Sequence, residues 1–196
     1  MLQFGMQFHG NTVMNPLQPA VFLDRDGTLN ENLVYLTSPA EMRLLPGVGE
    51  ALQLLRSAGF ACVVVTNQSA VGRGMISAGD LERIHDEMIR QLAMAGAALD
   101  GIYACTEVLD HSDRKPAPGM LLRAAAELRL DLPNSWMIGD SLRDVQAGQN
   151  AGCKGCILVR TGHPIDDVLP VNSPQVHVAD DLLSAARFIL SFDARG

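Results

Sequence analysis

Several things are missing from this sequence. No apolar run approaches the ~18 residues that would suggest a membrane span. There is no excess of positive charge: 15 Lys and Arg stand against 22 Asp and Glu, for a formal net charge of −7. That balance argues against a general nucleic-acid binder but leaves a phosphorylated substrate open, because local charge decides the latter. Cysteine is scarce. Four residues (Cys62, Cys105, Cys153 and Cys156) do not make a disulfide framework in a chain of 196. Residues 1–18 lack the basic n-region and apolar core of a secretion signal and are expected to form a flexible leader. No internal repeat or low-complexity tract appears. The expectation is a cytoplasmic monomer, partnered by neither nucleic acid nor membrane, with one domain over 19–192. Hydrophobic residues make up 47% and charged residues 19%, which argues against disorder and allows a substantial core.

What is present centres on Val21-Phe22-Leu23-Asp24-Arg25-Asp26-Gly27-Thr28. An apolar run, read as a buried strand, ends in two carboxylates one residue apart and then a Gly-Thr turn. Two acids at the tip of a buried strand repel each other and resist burial. A divalent cation is the simplest remedy, and oxygen ligands of this kind suit Mg²⁺. The plainer alternative is a strand followed by an acidic turn.

Strand-like and helix-like segments alternate through the rest of the chain. After a long loop, 25–45, Pro46-Gly47 opens a helix to about Ala58, with Val48, Ala51, Leu52 and Leu55 on one face and Gly59 as its stop. Phe60 to Thr66 reads as a second buried strand and Asn67 to Ile76 as a loop. Ser77 with Asp80 forms a capping-box pattern for a helix over 78–95. Further strands are expected at Gly101–Thr106, Trp136–Asp140, Gly155–Arg160 and Val176–Val178. Helices are expected at Gly119–Leu130, up to about Ala151, and at Asp181–Leu190. This alternation implies a three-layer α/β/α Rossmann-like fold with a mostly parallel sheet. Ligands in such folds bind at the C-terminal ends of the strands, and Asp24/Asp26, Thr66/Asn67, Arg114/Lys115 and Asp140 all follow strands.

Four of these stretches, in order, resemble the motifs of the haloacid dehalogenase (HAD) superfamily of phosphohydrolases. They are Asp24-Arg25-Asp26-Gly27-Thr28, Val65-Thr66-Asn67-Gln68-Ser69, Arg114-Lys115-Pro116 and Ile138-Gly139-Asp140-Ser141-Leu142-Arg143-Asp144. The resemblance implies that Asp24 attacks phosphorus and becomes an aspartyl phosphate. Asp26 would protonate the leaving oxygen and then deprotonate the attacking water. Thr66 would donate to a phosphoryl oxygen, or else merely end a strand. Lys115 would supply a point charge, the alternative being a solvated basic pair before a proline turn. Asp24, the backbone carbonyl of Asp26, and Asp140 would hold Mg²⁺. Asp144, one helical turn after Asp140, would support the metal site from behind or cap its helix.

The segments are closer still to a branch without a large cap domain that contains heptose bisphosphate and histidinol-phosphate phosphatases. Phe22 to Asn30, Arg114-Lys115-Pro116-Ala117-Pro118-Gly119-Met120 and Val159-Arg160-Thr161-Gly162 carry that likeness. It implies a small phosphorylated sugar as substrate and a role in lipopolysaccharide precursor synthesis, with histidinol phosphate or another small monoester as the alternative. Asn32, Tyr35, Asn67, Gln68 and Ser69 would then touch substrate, and Arg114 would suit a second phosphate. The branch usually carries a zinc loop of the form Cys-x-His then Cys-x-Cys. Here Cys105, Glu107, His111 and Asp113 occupy those places, so zinc is not expected. Cys153-Lys154-Gly155-Cys156 lies between a helix and a strand, the reverse of a redox pair, and reads as core packing. His85 reads as a surface or interhelical residue, and His163 lies close enough to the strand ends to line the site.

Overall fold

The computed structural model describes residues 16–163 and 176–193. Six strands form one sheet: β1 (Ala20–Leu23), β2 (Ala61–Asn67), β3 (Gly101–Cys105), β4 (Trp136–Gly139), β5 (Gly155–Val159) and β6 (Val176–Ala179). Every pairing is parallel, in the order β3-β2-β1-β4-β5-β6. The two middle strands and β5 are buried along their whole length, as a sheet covered on both faces requires.

Alternation along the strands divides the core. Val21, Leu23, Val64, Ile138 and Ile157 face one side, under helices α1 (Val48–Ser57), α3 (Ala78–Met94) and α6 (Leu182–Asp193). Phe22, Val63, Val65, Met137 and Leu158 face the other, against α4 (Gly119–Leu128) and α5 (Leu142–Ala151). A four-residue helix, α2 (Ser69–Gly72), follows β2. The Ser77/Asp80 capping box forms as the sequence suggests: Ser77 Oγ accepts from the Asp80 amide at 3.1 Å and Asp80 Oδ2 from the Ser77 amide at 2.8 Å.

Three details differ from the sequence expectation. The helix expected to run to Leu130 stops at Leu128, because Arg129 takes a left-handed conformation (φ 57°) and Leu130 turns back to bridge Gln18. The loops 25–45 and 67–76 contain local helix, a 3-10 turn at Pro39–Glu41 with its own Ser38/Glu41 capping box and α2. Of the expected flexible leader, residues 1–15 lie outside the described residues, but Gln18 is tied on both sides. Its amide donates to Arg129 O at 3.2 Å, its carbonyl accepts from Asp131 N at 2.8 Å, and its side chain donates to Gly59 O at 3.0 Å. Among the described residues no helix is long and apolar enough to cross a membrane.

The chain builds β1, β2 and β3 outward in one direction, then returns across β1 to start β4. Strand order therefore reverses between β1 and β4, and their C-terminal ends border the crevice where open parallel sheets bind ligands.

Candidate active site

β1 delivers Asp24 to that crevice, where the Asp24 amide donates to Ile138 O of β4 at 2.9 Å. The chain then folds into a tight turn in which Arg25 O accepts from the amides of Leu29 (2.8 Å) and Asn30 (3.1 Å). Gly27, at φ +76°, lies against the Asp140 carboxylate and Gly162, and a side chain at either glycine would overlap that carboxylate. Thr161 Oγ1 closes this corner by donating to Gly27 O at 2.6 Å, which ties the exit of β5 to the exit of β1.

Lys115 enters from the loop before α4. Its ammonium is buried and donates to Asp24 Oδ1 at 2.6 Å and Val65 O at 2.8 Å, and it pairs with Asp144 Oδ1 at 2.6 Å. Burial alone would favour the neutral amine, but the two carboxylates overcome it and raise the Lys115 pKa above the ordinary lysine value. At Asp24 burial prevails instead. Burial, with help from Asp144 and Asp26, pushes its carboxyl up to about 7 against the pull of Lys115. The backbone of Lys115 is clamped by Asn67, whose side chain donates to Lys115 O and accepts from Lys115 N, both at 3.0 Å.

One carboxylate oxygen from each of Asp24, Asp140 and Asp144 lies within 4.8 Å of the others. Two oxygens of Asp144 are already committed: Oδ1 to Lys115, and Oδ2 to the Ser141 amide (3.0 Å) and hydroxyl (2.6 Å) at the start of α5. Asp144 thus caps its helix and holds the lysine at once. Three carboxylates against one ammonium leave surplus negative charge in a half-enclosed site. Like charges ~4 Å apart cost about 4 kcal/mol at an effective dielectric near 20. A hard divalent cation with oxygen ligands fits that surplus.

Asp26 is held from several sides. Arg25, fully buried, donates Nη2 to both of its oxygens (2.9 and 2.8 Å) and Nε to Oδ1 at 3.2 Å. Asn30 Nδ2 (2.9 Å) and Gln68 Nε2 (2.8 Å) add two more donors. Gln68 also donates to Thr66 Oγ1 at 2.9 Å and accepts from Arg25 at 3.0 Å. The far side of Arg25 meets His85 Nε2 at 3.3 Å; burial first, then Arg25, lowers the His85 pKa to about 4, so the neutral ring accepts from the guanidinium. His85 is therefore a prop for the turn after β1, not an interhelical or free surface residue.

A cavity of about 790 Å³ opens over these groups. Asp24, Asp26, Asn32, Thr66, Asn67, Ser69, Arg114, Lys115, Asp140 and Asp144 all line it, and so does His163. Tyr35 and Gln68 do not. Tyr35 is half exposed and follows the lining residues Leu33 and Val34, and Gln68 is buried with its amide spent on Asp26, Thr66 and Arg25. Asn32 Nδ2 reaches Asp140 Oδ2 at 3.3 Å, and His163 holds the same oxygen through its amide (3.0 Å) and Nδ1 (2.7 Å). His85 and the bracing role of His163 escape a sequence reading because their partners lie in other segments, whereas Arg25 and Asn30 brace Asp26 within one turn whose fold the sequence does not display. Arg25 alone left a clue, as a cation placed between two acids.

Cys105 is buried, Asp113 pairs with Arg123, and His111 Nδ1 accepts from the Asp113 amide at 3.1 Å. Cys153 and Cys156 are buried with free thiols, and burial pushes the Cys156 pKa up to about 12, which suits packing.

A family model described as HAD-hydrolase-like matches residues 112–185. A D-glycero-beta-D-manno-heptose-1,7-bisphosphate 7-phosphatase of Pasteurella multocida is 42% identical over 159 residues, covering 77% of this chain and 86% of that one. The chain belongs to the haloacid dehalogenase family of phosphatases. A D-glycero-D-manno-heptose-1,7-bisphosphate 7-phosphatase of Thermosynechococcus vestitus shares 39% over 189 residues, covering 88% and 95%. The D,D-heptose 1,7-bisphosphate phosphatase of B. bronchiseptica, solved with magnesium and phosphate, superimposes with a TM-score of 0.81 at 36% identity, covering 89% and 99%. In this HAD phosphatase the four motif stretches meet at one place, the carboxyl ends of β1, β2 and β4 and the loop before α4.

Proposed function

We propose that this HAD phosphatase hydrolyses a sugar bisphosphate through an aspartyl-phosphate intermediate with Mg²⁺ bound, and that its substrate is D-glycero-D-manno-heptose 1,7-bisphosphate, losing the 7-phosphate. The observation that carries the reading is Asp24 at the cavity floor, paired with Lys115 and grouped with Asp140. The names of its relatives support the substrate.

Asp24 forms a bond from a carboxylate oxygen to phosphorus as the phosphorus–sugar oxygen bond breaks. Lys115 holds Asp24 in place and faces the charge that builds on the phosphoryl oxygens. The Thr66 hydroxyl accepts from Gln68, which leaves its proton free to point toward a phosphoryl oxygen in the cavity. Asp26 gives a proton to the departing sugar oxygen, then removes one from the water that attacks the phosphoaspartate, which regenerates free Asp24 and inorganic phosphate. Its many donors fix the carboxylate against the cavity wall for both transfers. Asp24 and Asp140 are the carboxylates that would hold Mg²⁺, with the backbone carbonyl of Asp26. When bound, the ion offsets repulsion between Asp24 and the incoming phosphate. Arg114, on the cavity wall beside Lys115, offers a planar fork for the second phosphate.

Purified protein assayed with Mg²⁺ against heptose 1,7-bisphosphate, fructose 1,6-bisphosphate and histidinol phosphate tests the reading. The heptose bisphosphate is expected to give a kcat/KM at least about tenfold above the others. A preference for histidinol phosphate overturns the substrate assignment.

A further inference from the structure

We infer that Arg143 is a second guanidinium for the phosphate that is not transferred, acting with Arg114 to select bisphosphates over monoesters. This rests on the bisphosphate reading above and adds a residue to it.

A second cavity of about 450 Å³ adjoins the first, and Arg114, Lys115 and Arg143 line both. The three cations differ in what they already serve. Lys115 is neutralised by Asp24 and Asp144. The Arg114 side chain donates through Nη1 to a neutral acceptor, Glu107 O at 2.7 Å, which orients the group without pairing its charge. Arg143 has no hydrogen-bond or ion-pair partner among the described residues. Asp110 and His111 share the wall of the second cavity, but Asp110 forms no ion pair with either arginine. Two guanidinium groups beside one opening, neither of them ion-paired, can both engage an anion placed between them.

Both bases are fixed. Arg143 stands in the first turn of α5, where its neighbour Asp144 is pinned by Lys115 and Ser141. The positive end of the helix dipole lies at the same place. Arg114 precedes Lys115, whose backbone Asn67 clamps from both sides. Only side-chain rotamers then remain to be ordered when an anion binds, and planar forks match phosphate oxygens two at a time. The nucleophile lies in the first cavity. A substrate whose reacting phosphate sits on Asp24 therefore directs its far end along the wall that Arg114 and Arg143 share.

The test compares two substrates that differ only in the distal group, heptose 1,7-bisphosphate and heptose 7-phosphate, by the ratio of their kcat/KM values. Arg143 is exposed, so Arg143→Gln leaves the core intact. The wild type is expected to favour the bisphosphate, and Arg143→Gln to cut that ratio at least about tenfold, chiefly through KM. Arg143→Lys, which keeps the charge and loses the fork, should fall between them. A wild-type preference that survives intact in Arg143→Gln overturns the role of Arg143 and leaves the bisphosphate reading standing. A wild type with no preference overturns both.

Discussion

At the scale of single residues the chemistry turns on Asp24, held ready by contradictory forces. Burial and two neighbouring carboxylates disfavour its charge, while Lys115 at 2.6 Å favours it. Asp24→Asn removes the nucleophile and should lower kcat at least about 10³-fold, measured as phosphate release, with the circular dichroism spectrum unchanged. Its effect on stability has a defined sign. Without a divalent cation, a carboxyl whose pKa is raised on folding contributes stability that is complete below the unfolded pKa near 3.8 and is lost as pH climbs through about 7. Asparagine has no such slope. In chelator, urea melts should therefore show Asp24→Asn gaining on the wild type between pH 5 and pH 8, at no more than about 1.4 kcal/mol per pH unit. A constant gap across that range would mean that Asp24 is not ionising against its surroundings.

At the scale of elements, two capping boxes of the same design serve different ends. Ser77 and Asp80 start α3 in solvent, remote from the cavity. Ser141 and Asp144 start α5 in the interior, and Asp144 also neutralises Lys115. Ser77→Ala should cost about 1 kcal/mol in urea denaturation and leave kcat as it was. Asp144→Ala loses a comparable cap and also strips one partner from a buried ammonium. Because Lys115 keeps Asp24 and Val65 O, the total should be about 3 kcal/mol, below the sum of a full broken pair and a cap, with kcat falling at least about tenfold. Equal stability losses for the two variants would mean that the Lys115–Asp144 contact contributes nothing. Both capping patterns are visible in the sequence as a short polar residue with an acid three positions on. What cannot be read there is which helix end faces the interior.

For the whole molecule, the strand order puts surplus negative charge at the point where β1 and β4 diverge, and a cation that binds only the folded chain should stabilise it. At 100 times its dissociation constant Mg²⁺ would add about 2.7 kcal/mol, which for a domain of this size raises Tm by about 5–10 °C. Thermal melts at pH 8 with and without Mg²⁺ check this, and Asp140→Asn should remove most of the shift. An equal shift in that variant would place the ion elsewhere.

Much of this architecture is written along the chain, because buried parallel strands need continuous apolar runs and their exit loops need polar residues and glycine. Val21–Leu23, Val63–Val65 and Met137–Ile138 announce the sheet; Asp24 and Asp140 sit one step beyond a strand, Thr66 near the end of another, and Lys115 in the loop before α4. Their order alone specifies which residues can meet at the strand ends. The division of labour within the cluster is settled only in three dimensions. Asn67 and Gln68 follow Thr66 and look equally suited to substrate, yet one clamps the Lys115 backbone and the other holds Asp26. His163 reaches Asp140 across 23 positions and Arg25 reaches His85 across 60. Hydrogen bonds extend about 3 Å, and a linear pattern records no distance between segments that far apart. The sheet, by drawing the loop ends to one edge, chooses which polar groups are consumed in bracing the site and which are left facing the cavity.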